Sequence, residues 1–151
     1  MKQVIGIILL AIGLFAAQLA PAQGTFYVSN LGQPSVGSMV IGSDAWIAQS
    51  FFTGTNSGGY VLNSIQLLMG AASGNPSGFA VSIYSDTNNE APGSSLGSLS
   101  GVDPATGGFF AYAASDIALS SSTFYYVVVT GATPITEGAY NWSAVNYIGG
   151  A

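Results

Sequence analysis

The chain has 151 residues, with one Lys or Arg, six Asp or Glu, no His and no Cys, and charged residues make up 5% of it. These counts exclude serine and cysteine nucleophiles that depend on His, zinc or copper sites ligated by His or Cys, and the lysine of a P-loop. They also exclude nucleic-acid binding through phosphate contacts, which needs many Lys and Arg side chains.

The N-terminal segment has the layout of a secretory leader. A basic residue, Lys2, precedes an apolar run over 4–17, which is shorter than the roughly 20 residues that span a bilayer. Small residues then surround the expected cleavage point. We therefore predict a signal peptide over 1–22, cleaved between Ala22 and Gln23, and an exported mature protein with no membrane span.

The mature chain, 23–151, reads as a series of short β-strands separated by Gly- and Pro-rich turns. The predicted strands cover 25–29, 45–53, 60–69, 79–85, 95–100, 109–113, 117–119, 123–130 and 140–145. Helical periodicity is missing after the leader. Eight or nine strands at this spacing predict a single domain, an all-β antiparallel sandwich of jelly-roll type.

Alternation along the strands predicts which side chains face the core. One face of the strand over 60–69 is expected to carry Val61, Asn63, Ile65, Leu67 and Met69. In the next strand, Phe79, Val81 and Ile83 share a face. The run over 124–129 is apolar on both faces, so we place it centrally in a sheet, covered on both sides.

The six acids all lie in or beside predicted turns, which is typical of turn-forming and solubilising residues. A hydrolase would need two of them facing each other across a cleft. Asp86, Asn88 and Glu90 alternate in one loop and offer oxygens of the kind that calcium prefers, although Asx turns explain the same residues. We expect no catalytic residue and no cofactor, and leave open whether the Asp86–Glu90 loop binds calcium.

Aromatic residues provide a second functional hypothesis, a carbohydrate-binding module. Exposed rings can stack on sugars beside polar partners, and Trp46 and Trp142 are the leading candidates. Five tyrosines could assist them: Tyr60, Tyr84, Tyr112, Tyr140 and Tyr147. The competing interpretation is that these rings pack the core, which is the usual role of aromatic residues in strands.

The order of several segments resembles a known family. These are AQSF over 48–51, GYVLNSI over 59–65, VSIYSD over 81–86, APGSSLG over 91–97, LS followed by TFYYVVV over 119–129, and YNW over 140–142. Together they resemble the choice-of-anchor R domain of exported bacterial proteins, whose members often carry a PEP-CTERM sorting signal. The resemblance implies a secreted or surface-displayed β domain with no assigned enzymatic activity. No functional residues come with it.

The chain departs from that family after residue 142, because the Pro-Glu-Pro motif, transmembrane stretch and basic tail of a PEP-CTERM protein do not follow. We therefore expect a chain truncated at its C-terminus, with a last strand missing. The expected function is that of a non-catalytic domain of the bacterial cell surface or extracellular matrix. The nearly uncharged surface favours a neutral polysaccharide, or another surface protein, as the partner.

Overall fold

The computed structural model describes residues 32, 34–88 and 90–145, and all regular structure in these residues is β. Eight antiparallel strands form two four-stranded sheets. The strands are β1 (Ser35–Ile41), β2 (Ile47–Phe52), β3 (Tyr60–Gly74), β4 (Ala80–Asp86), β5 (Pro92–Leu99), β6 (Gly108–Leu119), β7 (Phe124–Thr130) and β8 (Gly138–Val145). The signal peptide and the strand predicted over 25–29 lie outside the described residues.

The strand order identifies the sandwich as a jelly roll. The first sheet runs β1-β8-β3-β6 and the second runs β2-β7-β4-β5. Apart from β4 and β5, neighbouring strands in each sheet are not consecutive in the chain, which is the nested Greek-key connectivity of jelly rolls. The prediction of an antiparallel jelly-roll sandwich from strand count and spacing is therefore confirmed.

The core lies between the two sheets and contains side chains from both inner faces. Val81 and Ile83 are fully buried and Phe79 packs against the same core cluster, as the alternation predicts. Strand β7 lies inside its sheet, between β2 and β4, and every residue from Tyr125 to Val129 is buried. The central placement of this apolar strand is confirmed, although its first residue, Phe124, is exposed.

The prediction of which side chains face the core is wrong for the first residues of β3. The pairing of β3 with β6 shifts register between Leu62 and Ser64. Because a bulge reverses which face the side chains take, Leu62 packs on the core and Val61 is exposed. Beyond the bulge, Leu67 is buried as predicted.

Other strand assignments also differ from the prediction: β3 extends to Gly74 and not only to residue 69, and β5 begins at Pro92 and not at residue 95. The segments over 109–113 and 117–119 belong to one long strand, β6, and the bend between them is a bulge at Asp116, whose φ is 56°. Strand β1 was not predicted, because Gly37 and Ser38 interrupt its apolar pattern. It forms by pairing with β8 along nearly its whole length.

Hydrogen bonds between loops fix both ends of the sandwich. At one end, Asp44 accepts the Ile135 amide at 2.9 Å. At the other end, the hydroxyl of Thr53 lies between the carbonyl of Ser120 at 2.7 Å and the amide of Thr123 at 2.9 Å. Thr53 is 2% exposed. These polar contacts hold the loops in place without any ion pair between side chains, since residues 3–151 contain no Lys, Arg or His.

Candidate functional site

The outer surface of the second sheet carries a group of aromatic side chains that we call the aromatic face. Its members are Trp46, Phe52, Tyr84, Phe124 and Tyr126. Neighbouring residues such as Phe51, Tyr125 and Ile83 pack on the core. Because side chains alternate between the two faces of a strand, the members of the aromatic face point away from the core.

Three rings of the aromatic face are open to solvent. Trp46 is 62% exposed, Phe124 is 51% exposed and Phe52 is 43% exposed. Phe52 and Phe124 are directly opposite each other in the pairing of β2 with β7, and their ring centroids lie 4.7 Å apart at an interplanar angle of 55°. Trp46 directly precedes β2, and because Ile47 packs on the core, the alternation of β2 extended back by one residue places Trp46 at the other end of the same face.

The tyrosines occupy the middle of the aromatic face. Tyr126 pairs with Tyr84 on one side and with Ser50 on the other, and only 8% of Tyr126 is exposed. Burial raises the pKa of the Tyr126 hydroxyl, and the nearby charges of Asp86 and Glu90 raise it further. Like that of an ordinary tyrosine, the hydroxyl is protonated at neutral pH and can donate a hydrogen bond.

Small hydroxyl side chains fill the rest of this surface. Ser82 and Ser98 are cross-strand partners on β4 and β5, and their hydroxyls lie 3.0 Å apart. Ser50 lies on β2 between Ala48 and Phe52. The aromatic face therefore presents flat apolar rings at both ends and hydroxyl groups between them, an arrangement suited to a ligand with alternating apolar and hydroxyl surfaces.

The structure does not bring the two predicted tryptophans together. Trp142 lies on β8 in the first sheet, where it pairs with Met39 and with Met69. It is half-buried and packs against the core, on the same side of β8 as the buried Tyr140. Trp46 lies beside the second sheet, so Trp142 supplies no part of the aromatic face.

The five tyrosines that could assist the tryptophans do not lie together either. Tyr112 and Tyr140 are buried in the core, and Tyr60 packs against it. Tyr84 belongs to the aromatic face, and Tyr147 lies outside the described residues. Three members of that face, Phe52, Phe124 and Tyr126, were missed by the sequence reasoning, because alternation places them outward only once Phe51 and Tyr125 are known to face the core.

Three of the acids have carboxylates that accept hydrogen bonds from the backbone. Asp44 bonds to the β7–β8 loop, as described above, and Asp86 accepts the Asn88 amide at 3.0 Å in an Asx turn. Asp103 accepts the Gly78 amide at 3.0 Å and the Tyr140 hydroxyl at 2.7 Å. These contacts confirm that the three aspartates stabilise loops.

The loop over 86–90 has features that bear on calcium. The Oδ1 atom of Asp86 is buried and has no hydrogen-bond partner in the described chain, while Asn88 and Glu90 have positive φ angles of 63° and 57°. Among the described residues, however, no three acidic side chains converge on one point. The loop therefore offers two carboxylates, of which one already forms an Asx turn.

Comparison of the chain with protein-family models, with curated proteins and with solved structures finds no match. The part of the chain that the structure describes also contains no helix of the length and apolarity needed to cross a membrane. The candidate site therefore has to be interpreted from its own chemistry.

Proposed function

We propose that the chain is a non-catalytic, exported domain of the bacterial cell surface or extracellular matrix, and that it contacts neutral polysaccharide through the aromatic face. The observation that carries the proposal is the exposure of Trp46, Phe52 and Phe124 on one side of the second sheet. The cellular setting follows from the predicted leader and from the resemblance to the choice-of-anchor R domain.

Ring chemistry favours a sugar polymer as the ligand. The faces of pyranose rings are lined with C–H groups that pack on aromatic rings, while their hydroxyls need hydrogen-bonding partners such as the exposed Ser50. Trp46 and Phe52 are six positions apart, which corresponds to roughly 20 Å along an extended strand. A surface of that length suits several linked sugars better than one.

Charge favours a neutral polymer. The middle of the aromatic face consists of hydroxyl, aliphatic and aromatic side chains, and Asp86 lies at its Phe124 end. The mature sequence has no Lys, Arg or His to pair with an anionic polysaccharide. Binding through stacking and hydroxyl contacts alone is expected to depend little on salt.

The proposal of a non-catalytic role is supported by the use of the acids. Catalytic carboxyl pairs need free oxygens directed at a common substrate atom. In Asp44 and Asp103, a carboxylate oxygen is instead engaged by a backbone amide. In Asp86, Oδ2 accepts a backbone amide and Oδ1 has no partner in the described chain. Since the chain also lacks His and Cys, the usual general bases and nucleophiles are few.

A glycan array probed with the purified protein tests the proposal. Trp46→Ala should weaken binding to the glycans that score by about fivefold, because one stacking contact contributes about 1 kcal/mol. Phe109→Ala is the matched control, since Phe109 is 57% exposed on a strand of the other sheet. The proposal fails if no glycan binds, or if both substitutions weaken binding equally.

A further inference from the structure

The aromatic face has exposed rings at its two ends and short side chains between them. Trp46 forms one end, and the paired rings of Phe52 and Phe124 form the other. The outward positions of β2 between these ends hold Ala48 and Ser50, which are both small and exposed. We call the Trp46 ring and the Phe52–Phe124 pair the two platforms, and the surface between them the floor. A ligand that touches both platforms has to cross the floor.

The neighbouring strands continue the floor with side chains that project little. On β7, only 8% of Tyr126 and 6% of Val128 is exposed. On β4, the cross-strand partner of Val128 is Ser82. The segments 46–52 and 124–130 contain no charged residue. The floor is therefore low and uncharged, which suits a neutral chain that lies flat across it.

The separation of the two platforms sets the length of such a chain. Trp46 and Phe52 are six positions apart along an extended strand, so the platforms are about 20 Å apart. A pyranose unit adds about 5 Å to an extended sugar chain, so roughly four units are needed to bridge the gap between the platforms. A disaccharide reaches one platform at a time.

The straight course of β2 favours one class of linkage between the sugars. Equatorial β-1,4 bonds join pyranoses into a straight ribbon, whose C–H faces stack on aromatic rings. By contrast, α-1,4 bonds join the same sugars into a helix, which curves away from a sheet within a few units. A straight ribbon along β2 therefore contacts both platforms, whereas a helix contacts one.

We propose that the aromatic face binds a straight, neutral, β-1,4-linked glycan of at least four sugars, which lies along β2 and contacts both platforms at once. This inference rests on the proposed contact with neutral polysaccharide and adds the linkage and the minimum length. Once one platform holds the chain, contact with the second is intramolecular, so a chain that bridges the platforms binds much more tightly than one that cannot. Affinity therefore rises steeply once the chain is long enough to bridge.

Two series of β-1,4-linked oligosaccharides of two to six sugars, from cellulose and from chitin, test the length by titration calorimetry. In at least one series, the hexasaccharide should bind at least tenfold more tightly than the disaccharide, with one hexasaccharide per protein. Maltohexaose, an α-1,4-linked chain of equal length, should bind at least tenfold more weakly than that hexasaccharide. Affinity that does not change with length, equal binding of maltohexaose, or no binding in either series would overturn the proposal.

Substitutions in the platforms give the second test. Trp46→Ala, or Phe52→Ala combined with Phe124→Ala, should reduce the affinity ratio of hexasaccharide to disaccharide from at least tenfold to less than threefold, because the disaccharide still has the other platform. Phe109→Ala, which removes an exposed ring from the other sheet, should leave the ratio unchanged.

The outcomes separate this proposal from the broader one. If Trp46→Ala weakens the disaccharide and the hexasaccharide equally, the platforms do not act together and the bridging chain is wrong, while sugar binding by the aromatic face stands. Binding of maltohexaose that depends on Trp46 has the same meaning. If no glycan binds at all, both the bridging chain and the polysaccharide-binding function are wrong.

Discussion

The hydroxyl of Thr53 allows the contribution of one buried polar side chain to the free energy of unfolding to be measured. Thr53 follows β2 and is 2% exposed. Its Oγ1 atom accepts the Thr123 amide at 2.9 Å and donates to the Ser120 carbonyl at 2.7 Å, so it joins two loops at one end of the sandwich. Thr53→Val keeps the shape of the side chain and removes both hydrogen bonds.

Both hydrogen bonds are partly buried and each contributes about 0.5–1.5 kcal/mol, so Thr53→Val should lower the free energy of unfolding by about 1–3 kcal/mol. Thr53→Ser keeps the hydroxyl and removes one buried methyl group, which costs about 1 kcal/mol. Urea unfolding followed by tryptophan fluorescence measures both values. The reasoning is refuted if Thr53→Ser destabilises the protein as much as Thr53→Val does, because packing would then outweigh the hydrogen bonds.

Two further predictions concern the core tyrosines. Burial, with the charge of Asp103 adding to it, raises the pKa of Tyr112 to about 12, and burial with the hydrogen bond to Asp103 raises the pKa of Tyr140. Because an unfolded tyrosine loses its proton near pH 10, the free energy of unfolding should fall as the pH rises from about 10 to about 12. Tyr112→Phe should make the fall of the urea midpoint over this pH range shallower. An unchanged slope would contradict the assignment of this pH dependence to Tyr112. At Gly101 an added Cβ would lie 2.3 Å from Cδ1 of Tyr112, so Gly101→Ala should cost about 1–3 kcal/mol in the same assay. Gly37→Ala is the control, since nothing lies within 4 Å of its added Cβ, and an equal loss at both sites would refute the clash.

Strand count and alternation were enough to predict the sandwich. Val81 and Ile83 alternate with more polar residues, a pattern that predicts a strand with one face on the core. The Tyr125–Val129 run is apolar throughout, a pattern that predicts a strand covered on both faces. Turn chemistry supplied the boundaries between most strands. These signals are local, whereas the jelly-roll strand order depends on pairing between strands that are distant in the chain.

Register was harder to predict, because it depends on partner strands. The bulge after Leu62 reverses the face of Val61, and nothing in the β3 sequence alone indicates it. Strand β1 is stabilised by pairing with β8, while its own sequence, with Gly37 and Ser38, has a weak strand pattern.

The candidate site was only partly predictable for the same reason. Trp46 was identified from residue type, and its exposure agrees with a binding role. Phe52 and Phe124 adjoin the core residues Phe51 and Tyr125, and periodicity cannot assign faces where both neighbours are aromatic. Trp142 has the residue type of a stacking platform, but its position beside buried Tyr140 directs it to the core.

The pairing of β1 with β8 has a kinetic consequence. Ser35 is opposite Val145, so the first and last described strands of the jelly roll are hydrogen-bonded partners. The first sheet cannot be completed until almost the whole polypeptide is available, and closing a loop of that length is entropically expensive. Folding should therefore be slow, in the millisecond-to-second range of β-sandwiches, with the two terminal strands annealing late.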